Sequence, residues 1–214
     1  MVAAVGSDEV VDWLRRFAAA VQEQEQHLTE LDSAIGDADH GSNMRRGTSA
    51  VVAQLDGDGV TGSPGEVAKQ AGLTLVKTVG GASGPLYGTF MLRFAASAGA
   101  EAELDAAQLG AALRAGLGGV VARGRAERGD KTMFDVLAPA LDAFDQAVAD
   151  GGDAAAAAAA AASAAPGLRE ATAPLVARKG RASYLGERSA GHVDPGSAST
   201  TLLLEALAGA LAGP

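Results

Sequence analysis

Asp32, Asp37 and Asp39 fall within eight positions of the stretch "LDSAIGDADHGSNMRRG", with Gly36 and Gly41 around the last two and His40 directly after. Like charges at that density repel, so either solvent in an open turn or a bound cation must offset them. Carboxylates are hard oxygen ligands suited to Mg2+, which keeps several waters and shares phosphate oxygens. With one histidine nearby and no cysteine anywhere, this donor set fits magnesium better than zinc. Two such ions would leave a positive surplus over three carboxylates, a balance suited to a di- or triphosphate and to phosphoryl transfer. An Asx-capped, solvated turn accounts for the same residue types, because Gly, Asp and Asn all favour turns.

Two further stretches carry similar double readings. "GGASG", Gly80–Gly84, precedes an expected helix. It is either a flexible connection or a place where backbone N–H groups meet an anion. No Gly-Lys-Ser/Thr follows, so it is not a Walker A loop. "ARKGRASYLGERSAGHVDPGSAST" concentrates Arg178, Lys179, Arg181 and Arg188 in an otherwise acidic chain. Arginine near a phosphate neutralises charge that develops in transfer, while a solvated basic loop or a contact for an acidic partner explains the composition equally well. "RGRAERGDKTMFD" has mixed charge and says little alone. His27 reads as structural or exposed, and His192 lies in a glycine-rich loop. No spacing points to a Ser/His/Asp triad.

The elements that must position these residues are helices. Hydrophobic residues make up 48% of 214 but aromatics only 4%, so the core is built from Ala, Leu and Val, a composition suited to helix–helix packing. Helical periodicity predicts eight helices: from Ser7 to about Leu31, then after Gly41, from the Ser63-Pro64-Gly65-Glu66 capping box, over roughly 84–99, from Asp105 to about 123, over 132–149, through the alanine run 154–165, and over about 198–212. Asp32 then follows the first helix at its negative end, where a carboxylate wants a compensating partner. The loops 80–84, 124–131 and 178–197 can gather at one end of such a bundle. A net charge of −9 argues against a nucleic-acid partner. The absence of cysteine excludes disulfides and thiolate sites. No apolar run approaches a membrane span, and the N-terminus lacks a signal-peptide pattern, so a soluble, cytoplasmic protein with no membrane partner is expected.

Taken together and in order, "LDSAIGDADHGSNMRRG", "VGGASGPLYGTF", "ARGRAERGDKTMFDVLAPA" and "ARKGRASYLGERSAGHVDPGSAST" resemble the L subunit family of dihydroxyacetone kinases. The resemblance runs from Trp13 to the C-terminal leucine-rich helix. It implies an all-α, eight-helix antiparallel barrel over 1–214 as a single domain, with a nucleotide site in the loops at one end. It also implies two Mg2+ held by Asp32, Asp37 and Asp39, and ADP or ATP contacted by His40, Gly41, Ser42, Asn43, Ala82, Ser83, Gly124, Met133, Arg181, Asp194, Pro195 and Gly196. Arg181 is the expected catalytic group, and Met133 is expected to pack against the nucleoside. The implied activity keeps ADP as a bound coenzyme. A phosphotransferase-system M subunit converts it to ATP, and the phosphoryl group passes to dihydroxyacetone on a K subunit. The chain ends without a K-like part, so a free-standing subunit is expected, inactive on the sugar alone. Alternatives are use of free ATP or another small ketose, or a nucleotide-bound partner of a transcriptional regulator.

Overall fold

The computed structural model describes residues 4–57 and 62–213. Among these, nine α-helices occur: α1 Ser7–Glu23, α2 Glu25–Ile35, α3 His40–Gly57, α4 Pro64–Thr78, α5 Ser83–Ala98, α6 Ala106–Gly124, α7 Phe134–Ala149, α8 Ala154–Glu170 and α9 Pro195–Leu211. A 3-10 segment, Arg181–Ser189, lies between α8 and α9 and is interrupted at Gly186. One isolated antiparallel bridge, Val5 to Leu104, is the β-type pairing found among the described residues. No helix there is long and apolar enough to cross a membrane. The middle of the expected "DGDGVTG" loop lies outside the described residues.

The expected first helix is two. Gln24 leaves helical geometry (φ −96°, ψ 9°), yet its N–H donates to the Ala20 carbonyl and its own carbonyl accepts from Leu28 N. The result is a break in one rod, so the ring still has eight members. Going round it, α1 with α2, then α3, α4, α5, α6, α7, α8 and α9 each pack on the next, and α9 closes against α1. Short connections between neighbours make the rods alternate in direction.

Local chemistry explains most of the helix limits. Ser63 Oγ accepts from Glu66 N while the Glu66 carboxylate accepts from Ser63 N. Asp105 and Gln108 form the same reciprocal pair at the start of α6. At α1 the cap position is Gly6, whose N–H donates to Glu9, and Ser7 is the first helical residue. Helix α8 runs past the alanine tract and through Pro166 to Glu170. Its buried stripe, Ala154, Ala157, Ala158, Ala161 and Ala165, lets α7 and α9 approach closely. The large buried side chains are few and central: Trp13 and Phe94 have ring centroids 5.7 Å apart, and Phe17 and Tyr87 5.9 Å. Trp13 Nε1 donates to the Leu203 carbonyl at 2.9 Å, tying α1 to α9.

Candidate functional site

The alternation of rods sends four helix N-termini to one end: His40 of α3, Ser83 of α5, Met133 before α7, and Asp194 and Pro195 at α9. They surround a cavity of about 360 Å³. Free N–H groups and aligned peptide dipoles make this end attractive to anions.

Asp32 sits in the last turn of α2, buried, with Oδ2 accepting from Asp39 N at 2.8 Å and His40 N at 3.1 Å. The α2–α3 turn therefore folds around this carboxylate. Gly36 and Gly41 allow it: a Cβ at Gly36 would lie 2.0 Å from Asp32 Oδ1, and one at Gly41 2.1 Å from the Glu25 carbonyl. Ala38 between them takes a left-handed backbone, φ 61°. Asp32, Asp37 and Asp39 thereby each offer an oxygen within 4.8 Å of the others. Three hard oxygen donors this close, facing open space, fit a divalent cation. A cation does already reach the cluster, since Arg181 Nε lies 2.7 Å from Asp37 Oδ2.

Behind the carboxylates, a buried hydroxyl and a half-buried one hold His40 on its two ring nitrogens. Nε2 lies 2.9 Å from Ser199 Oγ and Nδ1 3.2 Å from Ser83 Oγ. Tyr87 Oη continues the chain, 2.7 Å from Ser199 Oγ and 3.1 Å from Thr200 Oγ1. Burial lowers the His40 pKa, although Asp32 and Asp39 oppose the change. Burial likewise pushes the Tyr87 phenol up to about 12. Asn43 is turned by Arg46, whose Nη2 donates to its Oδ1 at 2.6 Å.

The opposite wall is apolar: Leu86, Val120, Ala126 and Met133, with Gly124 at the end of α6. Asp194 caps α9, accepting from Ser197 N at 2.6 Å. Burial raises its pKa to about 7, against the Ser197 hydrogen bonds and with Asp135 adding to the rise; Lys131 opposes it. Charged and aliphatic groups thus both line the cavity, the combination that the phosphates and base of a nucleotide require.

Of the residues expected from the sequence, Asp32, Asp37, Asp39, His40, Asn43, Ala82, Ser83, Gly124, Met133, Arg181, Asp194 and Pro195 all line the cavity. Gly41, Ser42 and Gly196 do not line it. Gly41 is the contact point of α3 with α2, Ser42 donates to the Asp39 carbonyl at 3.0 Å, and the Gly196 carbonyl accepts from Ser199 and Thr200. Lys131 and Thr132 line the cavity without having been singled out, and Tyr87 supports it from behind. The Thr132-x-x-Asp135 pattern was available, and it forms half of a capping box: Asp135 Oδ2 accepts from Thr132 N at 2.8 Å, while Thr132 Oγ1 accepts from Phe134 N at 3.2 Å. Nothing local marks Lys131 as buried.

A closed antiparallel helical ring with carboxylates, an arginine and an apolar wall at one mouth defines a helical nucleotide-binding barrel. Residues 34–209 match the DAK2 domain, and the chain belongs to that family. It is 44% identical over 200 residues to the ADP-binding subunit of the PEP-dependent dihydroxyacetone kinase of Escherichia coli K12, covering 94% of this chain and 95% of that one. It is 41% identical over 202 residues to the ADP-binding subunit of the PTS-dependent dihydroxyacetone kinase of Lactococcus lactis IL1403, covering 94% and 95%. Among solved structures, the dihydroxyacetone kinase of C. freundii in complex with AMP-PNP and Mg2+ superposes with a TM-score of 0.69 at 27% identity. That match covers 94% of this chain and 33% of the other, so the barrel spans about a third of that longer protein.

Proposed function

We propose that the chain, as one L-type domain over 1–214, is the ADP-binding subunit of a dihydroxyacetone kinase supplied by a phosphotransferase system in the cytoplasm. The observation that carries this is the cavity itself. Three aspartate oxygens within 4.8 Å of one another face Arg181 at a mouth ringed by helix N-termini, with an aliphatic wall opposite. The 44% identity to an ADP-binding subunit over nearly the whole chain supports the same reading. Asp32, Asp37 and Asp39 would hold two Mg2+, and His40, Gly41, Ser42, Asn43, Ala82, Ser83, Gly124, Met133, Arg181, Asp194, Pro195 and Gly196 would contact or shape the nucleotide. When bound, the metals and nucleotide supply neutralised phosphate charge and a transferable phosphoryl group.

The chain's own residues do the positioning. Asp32, fixed by two backbone N–H groups, is the rigid member of the carboxylate set, and Asp37 and Asp39 complete it from the turn. Ser83, at the head of α5, presents its hydroxyl to the cavity while His40 holds it from behind. Met133, Leu86 and Val120 exclude water from the base side. Arg181, on an exposed strap, is free to leave Asp37 for a phosphate oxygen and neutralise charge in transfer. The partners are a K-type subunit holding the triose and an M-type donor, both meeting the open mouth; a transcriptional regulator is a third partner for the same face.

The test is reconstitution. The chain mixed with a K-type subunit and dihydroxyacetone should form dihydroxyacetone phosphate when an M-type donor, the general phosphotransferase-system carriers that charge it, and phosphoenolpyruvate are present. Equal turnover with ATP and no donor protein would overturn the bound-coenzyme reading.

A further inference from the structure

Lys131 is 1% exposed and has a left-handed backbone, φ 62°. A buried ammonium is costly unless each of its protons is partnered. Here Nζ donates to the carbonyls of Thr172, Ala173 and Leu175, each at 3.0 Å. Three protons meet three acceptors, so the lysine has none left for a ligand, although it lines the cavity.

The turn it grips is the foot of a strap. Gly191 N donates to the Ala173 carbonyl at 2.8 Å, closing residues 174–190 into a loop, and Ala177 N donates to Ser189 Oγ at 2.9 Å across its neck. Asp130, beside the lysine, accepts from Arg178 N on its carbonyl at 3.0 Å. The strap carries Arg181 to within 2.7 Å of Asp37. In the other direction, the chain from Lys131 enters Thr132 and Met133, and the Thr132 carbonyl accepts from Ser197 Oγ at 2.9 Å. One buried side chain therefore joins the apolar wall to the segment that delivers the arginine.

We propose that Lys131 is a positioning residue, which sets the foot of the 174–190 strap so that the affinity Arg181 adds for a nucleotide depends on it. The inference rests on the nucleotide reading of the cavity, and the experiment separates the two. Mg2+–ADP affinity is measured by calorimetry on the full chain for wild type, Lys131→Met, Arg181→Ala and the double variant. Each single change should weaken binding roughly tenfold, the scale of one charge-assisted hydrogen bond. The double variant should be no weaker than Arg181→Ala beyond about twofold, because residues acting through one another are not additive. Hydrogen exchange within 174–190 should quicken in Lys131→Met while α4 and α5 keep their protection.

If Arg181→Ala binds Mg2+–ADP as wild type does, the pocket reading fails and the coupling falls with it. If Arg181→Ala is weakened but Lys131→Met is neutral, or the two effects simply multiply, the Lys131 inference alone is wrong. Should Lys131→Met not fold, Lys131→Gln takes its place, keeping two donors for the three carbonyls. A loss of about threefold, again absent in the Arg181→Ala background, is then the supporting result, and a multiplicative one overturns it.

Discussion

Asp37→Asn should separate binding from folding. The substitution breaks the pair with Arg181, but those side chains are 34% and 69% exposed, and such surface pairs contribute roughly 0–1 kcal/mol. It also relieves repulsion from Asp32 and Asp39, at separations within 4.8 Å. In a water-like dielectric that relief is about 1 kcal/mol per pair. Two relieved pairs outweigh one exposed ion pair, so the nucleotide-free protein should be about 1–2 kcal/mol more stable than wild type at low salt. Affinity for Mg2+–ADP should fall by at least the roughly 10–100-fold seen when even an outer partner of a metal ligand is removed. Asp32→Ala supplies the contrast, because its carboxylate accepts from Asp39 N and His40 N. Stranding those two donors should cost about 2–4 kcal/mol of stability as well as the binding. Urea unfolding in chelator reads the first quantity and titration calorimetry the second. The reasoning is refuted if Asp37→Asn unfolds several kcal/mol earlier, or if it binds Mg2+–ADP unchanged.

Other outcomes follow from the same contacts. Burial raises Asp194 from its ordinary 3.8 to about 7, so the folded protein holds that proton more tightly than the unfolded chain does. Its contribution to stability is complete below the ordinary value and is lost as pH rises through 7. Asp194→Asn should flatten that decline in urea midpoints measured between those pH values, and an unaltered slope would contradict the assignment. Trp13→Phe removes the Nε1 donor to Leu203 and should cost roughly 1–3 kcal/mol in unfolding, with no measurable change counting against the α1–α9 tie. Without Mg2+ and nucleotide, amides 36–40 should exchange faster than in their presence, since three uncompensated carboxylates repel. Equal protection in both states would be evidence against a cation site.

The legible parts of the fold are those set by neighbours in sequence. The starts of α4 and α6 are readable because Ser63 with Glu66 and Asp105 with Gln108 satisfy one another within a single turn. The break at Gln24 is not, because helical hydrogen bonds run through it from both sides and neither Gly nor Pro marks it. That places Asp32 within the last turn of α2, where the expectation had it just beyond a longer helix. One proline misleads: α8 continues through Pro166 to Glu170, past the expected limit at 165, whereas α7 takes Pro139 in its second turn, inside the helix expected over 132–149. The aspartate cluster is local and was visible as a candidate, with the choice between turn and cation site left to residues far away. Lys131 and Tyr87 stayed hidden for the same reason, because their partners lie at Thr172–Leu175 and Ser199–Thr200, and a lysine or tyrosine in isolation does not announce burial.

The bridge between Val5 and Leu104 places the entry to α1 beside the α5–α6 connection, on the face away from the cavity. Helix α9 starts at the cavity and its 17 residues carry the chain about 25 Å to that same far face. Both ends of the ring are therefore anchor points remote from the mouth. A domain, tag or surface attached at either end would leave the mouth facing outward, and flexible attachment would let it swing towards one visitor after another. The barrel is in this sense a cup held by its base. The same geometry is compatible with a separate subunit and with a module inside a longer chain, such as the C. freundii kinase of which this fold spans a third.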